Sequence, residues 1–285
     1  MNFIKKKRKI IAALLVLISC GLFILQMGYL FLPSLIGREV EYVHNQLFYL
    51  INISCILSLA VSYLLYFQLI KKWLIIGGSI FSLFIAVNSY LMYSTSQEVI
   101  NTVSFSPDGN HTLVLKQDIE NGEIIYYREN YYFLARPLQR ITASERELHV
   151  KWLASDVAAV TYQDANHNIQ QYIATYGDRG ESSYYNVGPE IHGEWQDGET
   201  RVISGPEGIL VEDNGQRQRF GLEDIQQYGT LAIVLSDGNN AAWTIALAEN
   251  FKAQRDSPTA QPGNIRIYGA TIGDGEVRTL ERVGD

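Results

Sequence analysis

Three uncharged apolar stretches, residues 10–32, 46–70 and 73–93, fill the first third of this 285-residue chain, and nothing comparable follows them. Each reaches the roughly 20 residues that a helix needs to cross a hydrocarbon core. Inside lipid a backbone must satisfy its own hydrogen bonds, so a spanning segment of this length is a helix. The sequence therefore predicts an integral membrane protein. It has a basic tail (1–9), a three-helix transmembrane region (10–93) and a polar region of domain size (94–285).

The basic residues predict an orientation. Lys5, Lys6, Lys7, Arg8 and Lys9 precede the first span, and Lys71 and Lys72 separate the second from the third. The loop between the first two spans sets Arg38 against Glu39 and Glu41. Short loops rich in lysine and arginine stay cytoplasmic. The N-terminus and the Lys71-Lys72 turn are then inside, and everything after Tyr93 is outside.

A basic start, an apolar run and Leu17-Ile18-Ser19-Cys20-Gly21 also resemble a bacterial lipoprotein signal, with Cys20 as the lipidation site. The residues after Cys20 stay apolar through Leu32, which favours an uncleaved helix. The other cysteine, Cys55, is in the second span, so the region beyond Tyr93 has no thiol for a disulfide. With the short polybasic start, this composition points to a bacterial cell membrane. Residues 1–93 hold 8 basic and 2 acidic side chains, whereas residues 94–285 hold 15 and 28. An acidic outer region argues against nucleic acid as a partner.

Beyond Tyr93 the pattern shifts to short alternating segments separated by turn residues. Strands are expected at 112–116, 124–128, 131–135, 157–162, 169–175, 201–204, 209–212, 216–220, 231–235, 242–247, 265–268 and 277–280. Asp108-Gly109, Asn121-Gly122, Asp197-Gly198, Asn214-Gly215, Asp237-Gly238 and Asp274-Gly275 lie between them. Such pairs tolerate the positive φ of tight hairpin loops, and their regular recurrence predicts an antiparallel all-β domain. Residues 94–97 read as a short polar connector, 222–227 as one helical turn, and 177–189 and 254–263 as irregular stretches.

Phe105-Ser106-Pro107-Asp108-Gly109, followed by His111-Thr112-Leu113-Val114-Leu115, resembles the blade opening of TolB-like and WD40-like β-propellers. Val150 to Asp156 and Glu194 to Gly198 resemble later blade starts. The resemblance, at residues 104–116, implies a turn leading into a blade strand and carries no functional residue. A propeller needs at least four blades of four strands, so about twelve strands suit a sandwich or a propeller-like fragment better.

No catalytic, metal or cofactor motif stands out. His111, His149, His167 and His192 are scattered, and no Gly-x-Ser-x-Gly elbow occurs. Asp108 with His111 and Asp164 with His167 share a spacing that reads as turns. Residues 164–168 resemble half a calcium loop but lack its glycine and its glutamate. Tyrosines are more informative, because Tyr126-Tyr127, Tyr131-Tyr132 and Tyr184-Tyr185 are adjacent pairs. Neighbours in a strand point to opposite faces, so one of each pair is expected outside. Tyr127, Tyr131, Tyr184 and Tyr185 are the candidate binding residues, suited to a peptide or a glycan. Within the spans the polar residues are Gln26, Asn52, Gln68, Asn88 and several serines, none ionisable, as interhelical hydrogen bonding requires and a proton pathway does not.

The expected function is non-enzymatic: an envelope binding module, or an accessory subunit with a membrane or cell-envelope protein partner. One rival is an extracytoplasmic cell-wall hydrolase using unidentified carboxylates. The other is a sensor that signals through a partner.

Overall fold

A computed structural model describes residues 2–66, 71–130, 133–143, 147–177, 179, 186–252 and 263–283. Three apolar, membrane-length helices are followed by an all-β region. The chain forms two compact units, one of residues 1–103 and 114–140, the other of residues 104–113 and 141–285.

The first unit opens with α1 (Asn2–Ile36), β1 (Glu41–Tyr42), α2 (Gln46–Tyr66) and α3 (Lys71–Glu98). At 1.5 Å per residue the 21 residues of α2 reach about 32 Å, just the thickness of a hydrocarbon core. The 35 residues of α1 and 28 of α3 overhang it. The central helix is α2, against which both others pack.

Polar groups stitch α1 to α2 at a regular interval. Ser62 Oγ donates to the Ala12 carbonyl at 2.8 Å, Ser19 Oγ to the Cys55 carbonyl at 3.0 Å, and Gln26 Nε2 to the Phe48 carbonyl at 2.7 Å. Each step of seven residues forward on α1 is seven back on α2, the heptad spacing of an antiparallel coiled-coil seam. Gln26 Nε2 also donates to Asn52 Oδ1 at 2.8 Å, and Asn52 Nδ2 donates to Asn88 Oδ1 at 3.2 Å. One amide relay thus joins all three helices, each step replacing a polar group that would otherwise face lipid.

Next come β2 (Val99–Phe105), β3 (Thr112–Asp118), β4 (Glu123–Asn130) and β5 (Leu134–Thr142), in a five-stranded sheet ordered β1-β5-β4-β3-β2. Residues 94–97, expected as a connector, are the last helical turns of α3. Ser96 Oγ donates to the Tyr93 carbonyl and Ser94 Oγ to Glu98, so local polar bonds sustain the helix until β2 begins at the next residue.

The second unit holds β6 (Leu148–Ala154), β7 (Val157–Gln163) and β8 (Ile169–Thr175), a three-stranded antiparallel sheet. After the short helix α4 (Val187–Glu190) come β9 (Gly193–Asp197), β10 (Thr200–Gly205), β11 (Gly208–Asp213), β12 (Gln216–Phe220), β13 (Ile225–Tyr228), β14 (Ala232–Asp237), β15 (Asn240–Leu247), β16 (Asn264–Gly269) and β17 (Val277–Arg282). These nine strands form one antiparallel sheet ordered β12-β11-β10-β9-β17-β16-β15-β14-β13. Its two edge strands are consecutive in sequence, joined only by Gly221 and the 3₁₀ turn Leu222–Asp224. Four residues cannot bridge a flat sheet of nine strands spaced about 4.8 Å apart. The sheet therefore curls until its edges approach, a nearly closed barrel.

Leu153, Val157 and Ile173 from the smaller sheet pack with Trp195, Val202, Phe220, Ile245, Ile267 and Leu280 from the larger one in a single core. Hairpins set the register. At Asn214-Gly215 both residues have positive φ (50° and 80°) and form the two-residue loop between Asp213 and Gln216. At Asp197-Gly198 and Asp237-Gly238 the aspartate ends a strand, and the loops are Gly198-Glu199 and Gly238-Asn239. The Ser106-Pro107-Asp108-Gly109 segment is a closed turn at the β2–β3 hairpin tip. There Asp108 accepts from Ser106 Oγ at 2.6 Å and Asn110 Nδ2 at 2.7 Å, and Ser106 Oγ accepts from the His111 N–H at 2.9 Å.

Candidate functional site

The most constrained polar site lies in the first unit, where the loop between α1 and α2 becomes a strand. Antiparallel pairing sets Glu41 opposite Ala135 and Tyr42 opposite Leu134, and the Val43 N–H donates to the Phe133 carbonyl at 3.0 Å. Backbone hydrogen bonding accounts for so short a strand holding its place. Val40, Tyr42 and Leu134 pack with Tyr29, Leu32, Leu47, Phe48 and Ile51, so the strand is also embedded among helix side chains. Tyr29 stacks on Tyr42 with centroids 4.1 Å apart.

The Tyr42 hydroxyl donates to Gln26 Oε1 at 2.7 Å, which attaches the strand to the amide relay between the helices. Burial, and then the nearby Tyr29, push the Tyr42 phenol up to about 12. Beside it Glu41 reaches the opposite way and accepts from Lys116 Nζ at 2.6 Å. Lys116 is only 4% exposed, within the buried run Leu113 to Gln117 of β3, and its ammonium is 4.7 Å from the centroid of the Tyr127 ring. Burial lowers the Lys116 pKa, and the Glu41 carboxylate partly restores it. Burial raises the Tyr127 pKa, and Glu41, which its hydroxyl hydrogen-bonds, raises it further. His44 is held below its usual range by burial and then by Lys116, and its Nδ1 accepts from the Gln46 N–H at 3.3 Å. A carboxylate, an ammonium and an aromatic face thus close a charged contact between the interhelical strand and the middle of the sheet.

The expected site residues fall as follows. Tyr126 and Tyr127 are each 2% exposed, so the expectation that one of the pair faces outward does not hold. The strand that carries them, β4, is internal to its sheet, and Tyr127 packs with Val43, Val114 and Ala135. Tyr131, Tyr184 and Tyr185, with Tyr132, lie outside the described residues. The sequence reading missed Glu41, Lys116 and Tyr42. A lysine flanked by Leu113, Val114 and Leu115 was the signal available, because an ammonium in a buried strand needs a partner.

Among the described residues of the second unit, several carboxylates serve turns and ion pairs. His111 stacks on Tyr176 with centroids 4.4 Å apart, and Trp152 stacks on the same tyrosine at 5.8 Å. Tyr176 donates to the Thr112 carbonyl and Trp152 Nε1 to Ser104 Oγ. Asp164 accepts from the Asn166 and Asn168 backbone N–H groups, so the resemblance to a calcium loop resolves as a turn in which His167 has a φ of 60°. Asp156 pairs with Arg179, which also donates to the Ala248 carbonyl. Glu249 pairs with Arg266 at 2.8 Å.

Glu194 is held below its ordinary range by the hydrogen bond from Arg201. Burial pushes Asp213 up, but hydrogen bonds from Thr200 and Arg278 outweigh it and its pKa falls. Among the described residues no group of three or more His, Cys, Asp or Glu side chains could hold a metal ion. Comparison of the chain with models of protein families, with curated proteins and with solved structures finds no match in any of the three.

Proposed function

We propose that this is a multi-pass protein of a bacterial cell membrane that presents its acidic, β-rich region outside the cell and works by binding. In this reading it is an accessory subunit of a membrane complex or an envelope binding module. The observation that carries it is the double attachment of the five-stranded sheet to the helices. At one edge β1 comes from the loop between α1 and α2, and at the other β2 continues α3 without a linker. A sheet fixed at both edges is held at a set height above the bilayer, as suits a subunit whose partner is in the same membrane. The basic pair Lys71-Lys72 that opens α3 supports the outward assignment of that sheet.

Among the described carboxylates whose shift is resolved, Asp108, Asp164, Glu194, Asp213 and Glu249 are all shifted down by hydrogen bonds or arginines that outweigh burial, opposite to the raised pKa that a glycosidase's general acid needs. The test is affinity purification of the intact protein from gently solubilised native membranes, with mass spectrometry of what accompanies it. A stoichiometric membrane partner, or retention of the protein on peptidoglycan, is the expected result. Recovery of the protein alone, together with release of sugar from purified cell wall, would overturn the reading.

A further inference from the structure

We infer that the helix bundle carries a site for one anionic phospholipid at its basic end. A hollow of about 630 Å³ opens there, with α2 as its floor and α1 and α3 as its walls. Ala12, Ala13, Val16 and Leu17 line it from α1, and Phe81 from α3.

Close packing on the central helix creates the hollow. The bond from Ser62 Oγ to the Ala12 carbonyl holds α1 tightly against α2. Gly77 lets α3 approach Tyr63 so closely that a Cβ at that position would be 3.2 Å from the ring. With both outer helices drawn onto α2, the small Ala13 leaves space between them that no side chain fills.

The lining is almost wholly apolar and lies at the depth of the hydrocarbon, so hydrocarbon is what fits it. From Leu59 to Tyr66 the floor rises about 10 Å along the helix, against about 15 Å for half a bilayer core. That length suits one acyl chain descending from the headgroup level. The rim selects the headgroup. Lys9 Nζ is 5.8 Å from the centroid of the Tyr66 ring, which belongs to the floor. Lys6, Arg8, Lys71 and Lys72 are exposed at the same end of the bundle. Clustered lysine and arginine beside a membrane attract anionic lipid headgroups, and here Lys9 stands at the rim of a slot for the attached chain.

The intact protein, reconstituted in vesicles of equal parts phosphatidylglycerol and phosphatidylethanolamine and released into mild detergent, is read by native mass spectrometry. The unaltered protein retains one phosphatidylglycerol in preference to phosphatidylethanolamine. Ala13→Leu, at an exposed position that fills the slot, abolishes retention. Lys9→Gln keeps a lipid but lowers the headgroup preference about fivefold, the effect of one basic residue near an anionic surface. Gly78→Leu, which faces open space on α3, leaves retention unchanged. Equal retention of both headgroups by the unaltered protein, or retention unaffected by Ala13→Leu, overturns the assignment.

Discussion

Glu41 and Lys116 form an unequal pair, and that inequality can be measured. Lys116 is buried, whereas the Glu41 side chain is 40% exposed. Glu41→Gln strands a buried ammonium without its counter-charge. Lys116→Met leaves a carboxylate that water can still reach. The first change should cost about 2 kcal/mol, less than a fully buried pair because Glu41 is partly solvated. The second should cost clearly less, as thermal unfolding of the purified protein would register; a cost for Glu41→Gln no larger than that for Lys116→Met would contradict this inequality. Tyr42 gives a pH dependence with a definite sign. Its pKa is raised from 10.0 to about 12 when folded, so above pH 10 the unfolded chain releases the phenolic proton first. Stability present below pH 10 is lost as the pH climbs toward 12. Tyr42→Phe should flatten that decline in a pH series of unfolding midpoints, and an unchanged slope would place the phenol in open solvent.

At the scale of elements, the seven-residue stitching of α1 to α2 and the amide relay into α3 make Gln26 the branch point of the bundle. Gln26→Leu removes the acceptor of the Tyr42 hydroxyl and the donor to Asn52 together. A loss of about 1 kcal/mol is expected, the usual size of an interhelical hydrogen bond in a membrane, with unfolding in mixed detergent micelles as the readout. In the nine-stranded sheet Gly208 is the sensitive point, because its φ is 128° and a Cβ there would be 2.1 Å from the Phe220 carbonyl oxygen. Gly208→Ala should cost about 1–3 kcal/mol through backbone strain alone. A neutral substitution in thermal unfolding would show that the β11–β12 edge relaxes freely.

Much of this architecture is legible in the sequence, and the omissions have physical causes. The three helices announce themselves by uninterrupted apolar length, and Asn214-Gly215 marks its hairpin by demanding positive φ. By contrast β2 (Val99–Phe105) is mostly half-buried and runs straight on from a helix, so no turn residue separates them. The two-residue β1 owes its existence to pairing with a strand some ninety residues later, which no local pattern encodes. Likewise Tyr126 and Tyr127, neighbours that point to opposite faces, lie in a strand internal to its sheet. Their burial is decided by the neighbouring strands rather than by their own segment.

At the scale of the whole molecule, one assignment organises the rest: the side of the membrane on which the β-rich region lies. Native Cys20 and Cys55 are both within the spans, so a membrane-impermeant maleimide has little to find in the unaltered protein. Single cysteines placed at exposed Glu207 and exposed Lys72 report the two sides separately. In intact bacterial cells Glu207→Cys should label at once, and Lys72→Cys only after the cells are opened. Labelling of Lys72→Cys in intact cells, with Glu207→Cys protected until lysis, would reverse the topology and contradict the proposed role outside the cell.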